Sequence, residues 1–319
     1  MKTVLISGGA GFIGSHLARN LLDAGENVIA VDNLLTGSKE NLEELLPFDG
    51  FRFVEADITT NFENILNVGK VDEIYHLASP ASPNAKSKRS YIAFPIETML
   101  VNSVGTYNLL NIAKKHNSKL LFASSSEVYG DPAISPQVES YNGNVSPNGP
   151  RSVYDEGKRF GEAMTMGYFR KFGVDTRIVR IFNTYGPKMQ VDDGRVVSNF
   201  IAQALRKENI TIYGDGTQTR SFCFVSDMVS GLREAMGKGE KGEVYNLGNP
   251  DERSIADVAK MVIELAGFGN EIVFEDLPED DPKKRKPDIS KANNTFGFAP
   301  KVSFEDGLRQ TLEYFRSVI

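Results

Sequence analysis

A chain of 319 residues is long enough to bury a sizeable core and to divide into one large and one smaller domain. Its 36 basic and 42 acidic residues leave a net charge of −6, which argues against nucleic acid as a partner and requires any anionic ligand to be met locally. The single cysteine, Cys223, excludes an intrachain disulfide framework and thiolate metal clusters, and reads as a small core hydrophobe.

The N-terminus enters a strand pattern at once, Thr3 to Ser7, with no charged-then-apolar leader. No apolar run along the chain is long enough to cross a bilayer, so a cytoplasmic protein with no membrane partner is expected. Gly8-Gly9-Ala10-Gly11-Phe12-Ile13-Gly14 then joins this strand to a helix expected to begin near Ser15. Such glycines make a tight turn and let backbone approach a pyrophosphate, while the helix N-terminus supplies partial positive charge. A second strand, 27–31, delivers Asp32, 18 residues after Gly14. A strand, a glycine-rich turn, a helix and a following acidic residue together predict dinucleotide binding. Asp32 accepts hydrogen bonds from an unmodified adenosine ribose and repels a phosphate there, so NAD is favoured over NADP. Asp57, after a third strand at 51–55, either binds the adenine edge or caps its own loop.

Further apolar runs follow at 73–77, 119–123 and 175–180, alternating with helical patterns. That alternation predicts an α/β fold, a Rossmann-type doubly wound parallel sheet whose strands are covered on both faces. After about Asn183 the segments shorten and Pro and Gly become more frequent. The expected division is 1–183 for a dinucleotide-binding domain and 184–319 mainly for a smaller C-terminal substrate-binding domain, with some segments returning to the first. The basic run 283–286 reads as a solvated surface or, from its setting, as a ligand contact. His76 ends a strand and reads as a structural hydrogen-bonding residue, because His16, His76 and His116 are the three histidines and no second ligand is nearby; no metal is expected.

Between Ser124 and Lys158 the chain places a polar strand end, Ser124-Ser125-Ser126-Glu127, and then Tyr154-Asp155-Glu156-Gly157-Lys158. A hydroxyl, a carboxylate, a phenol and an ammonium make a proton-transfer set. Tyrosine ionises near pH ~10, so a tyrosine base at neutral pH needs a cation or dipole to stabilise its phenolate. Lys158 lies one helical turn on, along the same face, and is expected to lower that pKa directly or through a shared ribose hydroxyl.

The Gly-x-x-Gly-x-x-Gly spacing with Tyr154-x-x-x-Lys158 downstream resembles the extended short-chain dehydrogenase/reductase family over essentially the whole chain. Within it, the stretches 76–83, 126–132, 149–151 leading into 154–159, 180–187, 193–200, and 281–282 with 285–289 are similar to the branch that decarboxylates a UDP-linked uronic acid. The resemblance implies a UDP-sugar substrate and no net redox change. Tyr154, assisted by Ser125 and Lys158, removes the C4 hydroxyl proton while hydride passes to NAD. The C6 carboxylate is then beta to a ketone, so carbon dioxide leaves with its electrons delocalised into that carbonyl; hydride returns to C4, and UDP-glucuronate becomes UDP-xylose.

The same resemblance assigns Glu127 to decarboxylation or reprotonation, against the plainer reading of a solvated carboxylate at a strand end. Ser126 stands where the related 4,6-dehydratases carry an aspartic acid that expels the C6 hydroxyl; a serine is too weak an acid for that. Arg285 is expected to contact substrate, its planar guanidinium pairing two oxygens at once. Arg220 matches a diphosphate contact, with Arg195 and Asn183 completing the pocket and Pro80, Ser126, Asn199 and Gln218 beside it. Tyr213 either packs on uracil or belongs to the core. The cofactor set is Gly8, Gly11, Phe12, Ile13, Gly14, Asp32, Asn33, Thr36, Gly37, Asp57, Ile58, Leu77, Ala78 and Ser79, together with Tyr154 and Lys158.

A homodimer through helices near 102–117 and 154–172 is also implied. The chain departs from the pattern in a longer 84–94 segment and in Leu100, where lysine is common. The rival readings are a nucleotide-sugar 4-epimerase, a 4,6-dehydratase and a non-enzymatic dinucleotide sensor, the last having no need of Ser125, Tyr154 and Lys158 together.

Overall fold

Six strands in chain order build most of a single parallel sheet: β1 (Thr3–Ser7), β2 (Asn27–Asp32), β3 (Phe51–Glu55), β4 (Glu73–His76), β5 (Lys119–Ser125) and β6 (Thr176–Ile181). The computed structural model describes residues 1–319 except 61, 63–65, 67, 85, 86 and 277–283, so Asp281, Pro282 and Lys283 of the sequence motifs lie outside the described residues. A seventh strand, Glu243–Leu247, pairs with β6, and the order across the sheet is Glu243–Leu247, β6, β5, β4, β1, β2, β3. This is the doubly wound order, extended by one strand, and it bears out the expected Rossmann-type α/β fold. All its pairings are parallel.

The near-continuous apolar runs are explained by burial on both faces, since successive side chains point to opposite sides of a strand. Val4, Ile6, Tyr75, Leu121 and Val179 pack in one apolar layer, and Leu5, Ile74, Leu120, Phe122 and Ile178 in the other. Cys223 is fully buried in the first layer, as expected of a small hydrophobe.

Two helices position the site. The first, α1 (Phe12–Asp23), begins three residues before the expected Ser15, because Gly11 takes the extended backbone of an N-cap (φ −78°, ψ 174°). The second, Ser152–Phe172, lies close against β5. Gly161 on its inner face permits that approach: a Cβ there would stand 2.2 Å from the buried Phe122 ring. Tyr154 and Lys158 share this face and are thereby brought to the C-terminal ends of the strands.

Beyond β6, Ile210–Tyr213 pairs in parallel with Ile272–Glu275, and Thr219–Ser221 pairs with Glu252–Ser254 on one side and Lys284–Arg285 on the other. The last pairing sets Arg285 opposite Arg220. Helices Val196–Leu205 and Ile255–Ala266 cover these strands with the same apolar cluster that backs the main sheet.

Candidate active site

One cleft of about 1130 Å³ runs along the C-terminal ends of the strands and collects residues from both parts of the chain. At one end the glycine turn packs backbone against backbone more closely than any side chain would allow. Gly8 has φ +76°, and a Cβ there would stand 2.8 Å from Ala78 backbone; a Cβ on Gly14 would stand 2.1 Å from the Gly8 carbonyl oxygen. No side chain caps the first turn of α1, so its N–H groups face the cleft as an anion site. The N–H donors at this helix start and the glycine turn fit the pyrophosphate of a dinucleotide.

Asp32 ends β2 beside this turn, accepting hydrogen bonds from the Ala10 N–H at 3.0 Å and the Leu34 N–H at 2.8 Å. Burial raises its pKa, with those two bonds pulling the other way. Of the expected cofactor residues, all but Gly37 line the cleft. Gly37 instead lies against the Asp32 carboxylate, where a Cβ would come within 2.8 Å of Oδ1; its smallness serves the aspartate. Asp57 lines the cleft, and its carboxylate caps its own loop through the Thr59 N–H at 2.8 Å while accepting from Asn33 at 3.0 Å.

His76 is fully buried, its ring nitrogens 2.9 Å from the Ser7 hydroxyl and 3.1 Å from the Thr106 hydroxyl. Burial, then the Lys158 charge, holds it down to about 3, so it is a neutral structural imidazole. Among the described residues no group of three or more His, Cys, Asp or Glu is placed to hold a metal.

The hydroxyl, phenol and ammonium do converge. Ser125 lies near enough to Tyr154 to favour its ionised form, and its hydroxyl accepts from the Glu127 N–H at 3.2 Å. The expected depression of the phenol is corrected by the structure. Burial pushes Tyr154 up to about 12, only partly opposed by Ser125. Lys158 donates to the Ala123 carbonyl at 2.8 Å and stands 5.7 Å from the phenol ring centroid, while burial drives it down to about 7. A lysine held near 7 carries only part of its charge at neutral pH, which limits what it gives the neighbouring phenolate.

Glu127 is not a solvated carboxylate. Arg285 donates to its two oxygens at 2.6 and 3.1 Å, and Arg151 donates at 2.6 Å. Burial favours its neutral form, but the two guanidiniums overcome that and hold the carboxyl well below the usual range. Asp155 beside it goes the other way: burial and then the Glu127 charge raise it. Arg285 is therefore a buried partner of Glu127 as well as a cleft residue, not a member of a solvated surface run.

At the far end, Pro80, Ser126, Asn183, Arg195, Asn199, Tyr213, Gln218 and Arg220 all line the cleft. Arg195 is paired with Asp193, its Nη2 donating at 2.8 Å; Arg220 donates to the Thr219 carbonyl at 2.9 Å. Tyr213 is half-buried at a strand end, which removes the core reading for it. Leu100 is exposed at the cleft edge. Sequence reasoning quoted Arg151 only as part of a motif and gave it no role, and it missed Tyr91, whose ring stacks on Tyr154 with centroids 5.0 Å apart. A lone arginine after Gly-Pro and a tyrosine in an irregular segment carry no periodic signal.

A doubly wound sheet with a glycine cradle, an acidic β2 end and a buried Ser-Tyr-Lys set defines a dinucleotide enzyme that oxidises a hydroxyl. The profile of the NAD dependent epimerase/dehydratase family matches residues 4–248, and the chain belongs to that family. Among similar proteins, UDP-glucuronic acid decarboxylase 1 of Xenopus tropicalis is 49% identical over 315 residues, 99% of this chain and 72% of that protein. UDP-glucuronic acid decarboxylase 4 of Arabidopsis thaliana is 52% identical over 313 residues, covering 98% and 68%. Among solved structures, the UDP-glucuronic acid 4-epimerase of Bacillus cereus in complex with UDP-glucuronic acid and NAD has TM-score 0.87 and 31% identity, covering 99% and 100%.

Proposed function

We propose that this cleft decarboxylates UDP-glucuronate to UDP-xylose through a 4-keto sugar, with NAD reduced and reoxidised in place. The observation that carries this reading is the Arg151–Glu127–Arg285 cluster beside Tyr154, which brings two guanidiniums to the cleft wall where a substrate carboxylate would lie. Similarity to UDP-glucuronic acid decarboxylases over nearly the whole chain supports it.

NAD supplies the hydride acceptor and later the donor, held by the glycine cradle and Asp32. Tyr154 takes the C4 hydroxyl proton, with Ser125 holding that proton's hydrogen bond. Removing hydride from C4 sets a ketone beta to the carboxylate, and the departing carbon dioxide leaves its electrons in that carbonyl. Arg285, held in place by Glu127, orients the carboxylate, and the carbon that carbon dioxide leaves takes its proton from solvent. Arg195, Arg220 and Asn183 hold the diphosphate end, and Tyr213 packs on the base. Ser126 in place of an acid disfavours dehydration.

A 4-epimerase is the second reading, supported by the fold it shares with UDP-glucose 4-epimerase of Thermotoga maritima (TM-score 0.89, 31% identity, 99% of each chain). The decisive experiment is incubation with UDP-glucuronate and NAD, following carbon dioxide and the sugar product by NMR. Carbon dioxide and UDP-xylose in equal amounts are expected; UDP-galacturonate without carbon dioxide would overturn the assignment.

The chain is further proposed to form a homodimer in the cytoplasm. Ile96, Val104, Tyr107, Phe160 and Phe172 are exposed on or beside the helices Thr106–His116 and Ser152–Phe172, an apolar face suited to a second copy. Among the described residues no helix is long and apolar enough to cross a membrane. Sedimentation at micromolar concentration tests the pairing. The same reading assigns 1–183 to the cofactor and 184–319 mainly to the nucleotide sugar, with Glu243–Leu247 returned to the sheet.

A further inference from the structure

Tyr154 stands in the first turn of its helix, where Arg151 makes no side-chain cap, and its phenol must be placed to a fraction of an ångström to take a proton. The ring is backed by Tyr91, parallel to it at 12° with centroids 5.0 Å apart. Tyr91 is 1% exposed and anchored on both sides. Its N–H donates to the Ser82 carbonyl at 3.1 Å, Ser82 and Ser90 form a bridge, and the Ser90 hydroxyl accepts from the Ala93 N–H at 3.1 Å. The Ser82 hydroxyl in turn donates to the Asp193 carbonyl, tying the segment to the loop that carries Arg195. A ring so held leaves its neighbour little room to rotate away from Ser125.

We propose that Tyr91 is a positioning residue, whose ring fixes the Tyr154 phenol in line with Ser125 and the C4 hydroxyl, and which the Ser82–Asp193 tether holds in place. This rests on the reaction proposed above. The Tyr91 hydroxyl is buried without a hydrogen-bond partner among the described residues, so the stack and not that hydroxyl carries the argument.

The test compares Tyr91→Phe, which keeps the ring, with Tyr91→Met, which keeps the bulk and loses it. Steady-state rates on UDP-glucuronate are measured together with the isotope effect from deuterium at C4, NAD affinity and Tm. The wild-type arm tests the reaction by itself: absence of carbon dioxide there would sink the assigned activity, not the stack. Tyr91→Phe is expected to stay within about two-fold of wild type. Tyr91→Met is expected to lose roughly 10- to 100-fold in kcat, with KM and NAD affinity within about two-fold and a larger isotope effect, as for a misplaced base. A Tyr91→Met kcat near wild type, or a Tyr91→Phe loss as large as that of Tyr91→Met, would overturn the proposal. Should Tyr91→Met fail to fold, Ser82→Ala carries the test: a kcat loss at unchanged KM supports the tethered stack, and unchanged kcat refutes it.

Discussion

Replacing Arg285 with Met removes half of the positive charge around Glu127 while keeping the bulk of the side chain. The lost fork comprises two hydrogen bonds, 2.6 and 3.1 Å, between side chains only 8% and 13% exposed. Hydrogen bonds to a charged group contribute about 1.5–3 kcal/mol, and stripping one partner from a buried pair costs about 3–5 kcal/mol. Arg151 still pairs with the carboxylate at 2.6 Å, so the cost falls below that upper range, to about 2–3 kcal/mol. In Glu127→Gln the fork is already gone, and Arg285→Met in that background is expected to cost less than about 1 kcal/mol, giving a coupling of about 1–3 kcal/mol. Urea denaturation of the four proteins at pH 8 measures the cycle. The Glu127 carboxyl is held below its ordinary value of 4.5, so its contribution is present above that pH and is lost as pH falls toward the folded value. The coupling should therefore persist from pH 8 to 6 and fade below about 4. An Arg285→Met cost that is the same in both backgrounds would show that the guanidinium does not act through Glu127.

Tyr154→Phe should abolish turnover on UDP-glucuronate while NAD binding by calorimetry stays within about two-fold; retained turnover removes Tyr154 as the base. Glu127→Gln should still oxidise C4, seen as reduced nicotinamide in a single turnover, but release carbon dioxide at least about ten-fold more slowly; release at the wild-type rate rules the glutamate out. His76, held neutral down to about 3, binds a proton in the unfolded chain from pH 6.5 downward but not in the folded one, so it lowers stability as pH falls through that window. His76→Asn should flatten the stability profile between pH 6.5 and 4.5 by about 1.4 kcal/mol per pH unit, read from urea midpoints; an unchanged slope would show that the imidazole is not kept neutral.

What was legible in the sequence was local. The glycine turn and Asp32 stand within one strand-turn-helix unit, and the continuous apolar runs of β1 to β6 announce burial on both faces. The Tyr154-x-x-x-Lys158 spacing likewise gave a helix face that Gly161 lets press onto the sheet. Three things were hidden. Glu243–Leu247 is short and mixed in polarity, and its partner Arg177–Ile181 lies more than 60 residues back. The phenol pKa depends on how deeply Tyr154 and Lys158 are both buried, which spacing does not encode. The Glu127 cluster joins residues 127, 151 and 285, a juxtaposition made only when Lys284–Arg285 aligns with Thr219–Ser221.

The strand Glu243–Leu247 closes the β6 edge from 62 positions further along the chain, counting from Ile181 to Glu243. At a synthesis rate of about 5–20 residues per second, β6 waits on the ribosome for roughly 3–12 s with its outer N–H and C=O groups unmatched. Such a rim invites pairing with another nascent copy. A gene truncated just after Asn183 would make that exposure permanent, so residues 1–183 are expected to be insoluble when expressed alone, and yield depends on how fast translation reaches the late strand.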